Sequence, residues 1–74
     1  MTKTAEFLSW VKLTRRYLDE DNPVTLTRRI AKAGDRIIEP DSPIGMAMLG
    51  KEAGWKGTVE VPGGTVEVEL LKVW

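Results

Sequence analysis

Apolar and polar residues alternate most regularly between Thr58 and Val68. Val59 and Val61 lead, Val66 and Val68 follow, and Glu60, Glu67 and Glu69 stand between or beside them. Pro62, Gly63 and Gly64 interrupt the run, so the pattern predicts a β-hairpin. Leu70 continues the Val66–Val68 face. Leu71, Val73 and Trp74 then crowd the end, which predicts either a bulge or a strand covered on both faces.

In the first half, Val11 and Leu13 alternate with polar residues from about Ser9 onward, predicting a strand in which Trp10 is a core or rim aromatic. Tyr17 to Pro23 (YLDEDNP) is an acidic turn ended by proline. Val24, Leu26, Arg28 and Ile30 alternate with Thr25, Thr27 and Arg29, a second strand. Ala31–Asp35 is a connector and Arg36–Glu39 a short third strand. Met1–Glu6 shows nothing to anchor it, so residues 1–8 read as a flexible lead-in and 9–74 as one domain.

Between these two halves lies Glu39–Glu52 (EPDSPIGMAMLGKE). Asp41 or Ser42 can cap a helix whose first position is Pro43, where the missing N–H costs nothing. Ile44, Ala47 and Met48 share a face that Leu49 widens, and Gly50 is a C-terminal stop. A helix of about two turns does not stand alone in water. It must lie across the sheet as a single helical layer, giving an α+β fold with a small antiparallel or mixed sheet. Trp10, Ile37, Ile38, Met48, Leu49, Val59, Val66, Val68 and Leu70 are expected to form most of the core.

With 74 residues, the chain allows one small domain, and with neither cysteine nor histidine it excludes a zinc site of those ligands. No apolar run approaches the roughly 18 to 20 residues of a membrane helix, and the N-terminus has no signal-peptide core. A cytoplasmic protein without membrane contact is expected. Eleven basic and eleven acidic residues cancel, so direct nucleic-acid binding is not expected. Arg15–Arg16 and Arg28–Arg29 in the first half, against Glu60, Glu67 and Glu69 in the last hairpin, suggest an electrically polarised molecule.

Catalytic chemistry finds little support. No histidine or cysteine is present to act near neutral pH, and Ser9 and Ser42 have no evident base. The adjacent carboxylates Asp19, Glu20 and Asp21 lack the spacing of a calcium loop. The glycines form no phosphate cradle. A non-enzymatic chain with no cofactor, metal or small-molecule substrate is expected.

One resemblance is specific in order and spacing. Pro40-Asp41-Ser42-Pro43-Ile44-Gly45, then Ala47, Leu49, Gly50, Lys51 and Glu52, are followed by a strand ending Val61-Pro62-Gly63-Gly64 and a final strand Val66–Leu71. This resembles the C-terminal domain of the bacterial Gre transcript cleavage and elongation factors, which reads S-P-[LI]-G-x-A-L-[LI]-G-K, a strand, P-G-G and a last strand. Val11-Lys12-Leu13, Val24-Thr25-Leu26 and Arg36-Ile37-Ile38 resemble the earlier strands, so the likeness covers about 9–74. It implies an FKBP-like fold and docking on RNA polymerase, at the rim of the secondary channel on the largest-subunit side. Asp41, Ser42, Pro43, Ile44 and Met46 would be the docking positions, with Trp55, Arg28 and Arg29 as a secondary contact. Gly45 and Gly50 would be structural glycines. In that family cleavage belongs to an N-terminal coiled coil that helps hold magnesium; the stretch before residue 9 is too short for one, and Asp19–Asp21 do not take its role.

The chain departs from the family at Met46, which often is arginine or another polar residue there, at Trp55, and in the shorter connector Ala31–Asp35. With so few aromatics to line a pocket, the fold resemblance does not extend to prolyl isomerase activity. The alternative to polymerase docking is a small accessory or self-associating domain. Its contact would run through Met46 and Trp55 or through an unpaired strand edge.

Overall fold

A computed structural model describes residues 2–74. Five strands and one helix follow in the order β1 (Trp10–Tyr17), β2 (Val24–Ile30), β3 (Ile37–Ile38), α1 (Pro43–Met48), β4 (Lys56–Val61) and β5 (Gly64–Val73). They form one mixed sheet of spatial order β3-β2-β1-β5-β4. The α+β architecture and the last hairpin are as the pattern predicts. β5 lies antiparallel beside β1 as its non-local partner, while β2 flanks its other side.

Parity along β1 decides the core. Val11 and Leu13 are fully buried, opposite Val73 and Leu70 of β5 and beside Arg28 and Leu26 of β2. Trp10 has the opposite parity and is 41% exposed, which corrects its place in the expected core. Ile30, Met48, Val59, Val66, Val68 and Leu70 complete the buried cluster, while Ile38 and Leu49 only pack against it half-buried and Ile37 is likewise half-buried. Val11 and Leu13, two residues apart on β1, and Ile30 at the end of β2 are fully buried as well and stand outside the expected set.

Three further findings depart from the sequence. The N-terminal stretch has an anchor after all: Ala5 is fully buried, its N–H donates to the Lys51 carbonyl (2.8 Å) and its carbonyl accepts from Gly50 N–H (2.8 Å). A small side chain in an otherwise polar stretch gives little pattern from which to foresee that. β3 runs parallel to β2 after only a short connection. Parallel neighbours ordinarily need a longer crossover; here Gly34 (φ 120°) and Arg36 (φ 53°) turn the chain back on itself. Finally, the expected charge separation does not survive the topology. With β1 beside β5, the Arg16 guanidinium lies 3.7 Å from the Glu67 carboxylate, which Lys56 also approaches at 3.8 Å.

The crowded end of β5 contains a bulge. Lys12 pairs with Lys72 but Leu13 with Leu70, leaving Leu71 as the extra residue. Leu70 faces the core; beyond the bulge it is Val73, opposite Val11, that takes the inward phase. Among the described residues no helix is long and apolar enough to cross a membrane.

Candidate protein-docking site

The loop before α1 is organised on one carbonyl. Glu39 C=O accepts from Ser42 N–H (3.1 Å) and from the Ser42 hydroxyl (2.7 Å). Ser42, with extended φ and ψ, is the N-cap: its Oγ accepts from Gly45 N–H at 3.1 Å, satisfying one of the helix's open donors. Its hydroxyl is thus committed to holding the loop, which settles the Asp41-or-Ser42 alternative. Gly45 is buried where the first helical turn meets that loop, and a Cβ there would overlap the Glu39 carbonyl oxygen. A glycine is needed for this close approach.

The two residues after the cap differ in exposure. Pro43 is exposed and Ile44 is half-buried, its inner side against the core. Both border a cleft of about 320 Å³ that also takes in Ser42 and Glu39. Across it stand Ile37 and Ile38 of β3, Val61 and Pro62 at the end of β4, and Arg15 and Tyr17 of β1. Arg15 and Tyr17 have the parity of Val11 and Leu13 further along β1, and Tyr17 packs half-buried against the core. Extending that alternation past Leu13 is the signal that would have found them. The cleft mixes apolar side chains with Arg15, Tyr17, Glu39 and Ser42, a surface suited to a protein segment that carries both apolar and polar groups.

The remaining expected site residues do not gather here. Asp41 is exposed beside the cap, and Met46 is 62% exposed on the helix. Trp55 is half-buried and packs against the core, where its indole lies against Gly57. Arg28 and Arg29 alternate on β2, so they leave opposite faces: Arg28 Nη1 donates to Thr27 C=O (2.8 Å) and Arg29 Nε to Leu8 C=O (3.1 Å). Among the described residues no group of three or more acidic side chains is placed to hold a metal ion. Asp19–Asp21 lie in the β1–β2 loop, where the Glu20 carboxylate accepts from Tyr17 N–H (3.0 Å) and Arg16 donates to the Glu20 carbonyl (2.7 Å).

Known proteins sharing these features point one way. The family described as transcription elongation factor, GreA/GreB, C-terminal, matches residues 1–74, and the chain belongs to that family. The resemblance carried by the Ser-Pro segment and the Pro-Gly-Gly turn is borne out, and the match also takes in the segment anchored at Ala5. The chain is 34% identical over 73 residues to the transcription elongation factor GreA of Amoebophilus asiaticus, covering 97% of this chain and 46% of that protein. Against GreA of Christiangramia forsetii it is 46% identical over 37 residues, covering 50% and 23%. Against GreA of Bacillus cereus it is 47% identical over 36 residues, covering 49% and 23%. The chain spans less than half the length of these relatives. No solved structure matches it.

Proposed function

We propose that this chain is a non-catalytic docking domain that binds RNA polymerase and so modulates transcription elongation. The contact is the rim of the secondary channel on the largest-subunit side, and the fold is FKBP-like. Family membership across residues 1–74 supports the reading. The observation that carries it to particular residues is the cap at Ser42, beside which Pro43 and Ile44 border a cleft of mixed polarity. Asp41, Ser42, Pro43, Ile44 and Met46 form the primary contact, and Trp55, Arg28 and Arg29 lie outside that cleft.

Titration of the chain against core RNA polymerase tests this, using Ile44→Asp and, because Ile44 partly packs on the core, the charge reversal Asp41→Lys at an exposed position. Saturable binding weakened by both folded variants is the expected result. Absence of saturable binding at micromolar concentration overturns polymerase as the partner. The alternative, an accessory or self-associating domain, draws on the exposure of Met46. It would show instead as polymerase-independent association lost in Met46→Lys.

A further inference from the structure

The sheet face opposite α1 carries a patch that no stretch of sequence contains whole. Arg29 of β2 pairs with Trp10 of β1, and Trp74, one residue past the Val11–Val73 pair, donates its N–H to Trp10 C=O (3.0 Å). In the next row along the strands, Thr27 pairs with Lys12 and Lys12 with Lys72. Cross-strand partners share a face. Two rows from three adjacent strands therefore hold three cations, two tryptophans and one threonine. Trp10, Thr27 and Trp74 line one shallow, almost wholly apolar groove of about 330 Å³. Trp10 is 41% and Trp74 46% exposed, and Lys72 Nζ lies 4.7 Å from the Trp74 ring. Among the described residues, two carboxylates stand at its margins: Glu69 is opposite Thr14 one row down, and Glu6 borders the far side of Trp74.

Lys12 directly opposite Lys72 is a like-charge pair, which a sheet tolerates at a cost unless something negative lies over it. Paired exposed indoles likewise ask for a flat apolar cover. We infer that this face binds single-stranded nucleic acid, with bases stacking on Trp10 and Trp74 and phosphates meeting Lys12, Lys72 and Arg29. Base–aromatic stacking beside cations is the general means of binding single strands without sequence preference. A second copy of the chain does not fit, since a self-complementary contact would set three cations against three. The net charge of zero argues against nucleic-acid binding by the molecule as a whole; the patch is local, takes only Arg29 from the sequence-adjacent arginine pairs, and joins residues from both ends of the chain.

Fluorescence anisotropy of labelled oligouridylate, titrated with the full chain at low salt, tests the inference. Saturable binding is expected with a dissociation constant in the range of about 10⁻⁴ to 10⁻⁶ M. For three phosphates neutralised on a single strand, log K is expected to fall with log[salt] at a slope of about −2, or roughly 20-fold between 50 and 200 mM. Trp74→Ala, an exposed position at the chain end, is expected to weaken binding about tenfold. The pair Lys12→Gln and Lys72→Gln is expected to flatten the salt slope, whereas Lys56→Gln, on β4, is expected to leave both unchanged. Absence of saturable binding, or binding indifferent to Trp74→Ala, overturns the proposal. So does equal binding of poly-glutamate, which would make the occupant an acidic protein, or self-association that Trp74→Ala abolishes.

Discussion

The two faces of this sheet are built by different rules. The face under α1 is set by local parity: Val11 and Leu13 on β1, Val66, Val68 and Leu70 on β5, and Ile30 on β2 point inward at every second position. The opposite face is set by how distant strands are registered. Lys12 and Trp10 find Lys72 and Trp74 only because the bulge at Leu71 shifts the phase of β5. Were Leu71 paired in regular alternation instead, Lys72 and Trp74 would share the parity of Leu70 and face the core. One face can be read along the chain; the other exists only between strands.

The sharpest way to break this contrast is to change neighbouring residues of opposite parity on β1. Leu13→Ala is expected to lower stability by about 2–5 kcal/mol, the usual cost of emptying a fully buried site. Trp10→Ala, larger in volume removed but on the open face, is expected to cost about 1 kcal/mol or less. Urea denaturation of the two variants reads the difference. Equal losses would mean that Trp10 is a core residue and that the faces have been assigned wrongly.

Deleting Leu71 tests whether it is the extra residue. Without it Lys72 follows Leu70 directly, and the pairs Leu13–Leu70, Lys12–Lys72 and Val11–Val73 form a regular ladder in which Lys72 and Trp74 keep the open face. A change in stability of about 1 kcal/mol or less is expected, with oligonucleotide binding retained. A deletion variant that loses both stability and the oligonucleotide titration would show that Leu71 is not the residue the ladder leaves unpaired.

The same division explains what could be read in advance. The hairpin of β4 and β5, the capped helix and the Ser-Pro segment are signals carried by consecutive residues, and the structure returns them with Ser42 as cap and Pro43 first. Trp10 reads from the sequence as a core or rim aromatic; the parity of Val11 and Leu13 puts it on the open face. The anchor at Ala5 and the parallel seating of β3 depend on backbone hydrogen bonds to Lys51, Gly50, Arg29 and Ala31, which leave no mark on side-chain pattern. For the candidate cleft, the helix side is legible from residues 42–44. Its far wall of Ile37, Ile38, Val61, Pro62, Arg15 and Tyr17 is not, because it is assembled from three segments distant in the chain.

Between the two faces stands the loop that feeds α1, and Ser42 tests it at smaller cost. Ser42→Ala removes the cap on Gly45 N–H and the bond to Glu39 C=O, and about 1 kcal/mol of destabilisation is expected. Restoration by Ser42→Thr, measured by thermal unfolding, would separate the capping hydroxyl from a contact specific to serine. If polymerase binding falls in Ser42→Ala more than the folded fraction does, the cap acts by presenting Pro43 and Ile44 as well as by stabilising the helix.

The smallest effect is expected where the charges of the two chain halves meet. Glu67 accepts approaches from Arg16 and Lys56 at 3.7 and 3.8 Å, and all three side chains remain partly exposed. Such pairs contribute about 0.5 kcal/mol or less, and that contribution is expected to fade with added salt. Arg16 has a second occupation: its guanidinium donates to the carbonyls of Tyr17, Leu18 and Glu20 and so holds the β1–β2 loop closed. Arg16→Gln is therefore expected to cost more than Glu67→Gln, and to keep most of that cost at high salt, because the loop carbonyls lose a donor that no ion replaces. Denaturation of both variants at low and high salt distinguishes the contributions. Equal, fully salt-sensitive losses would make Arg16 a surface ion-pair partner and nothing more, leaving the loop to be held by Glu20 accepting from Tyr17 N–H.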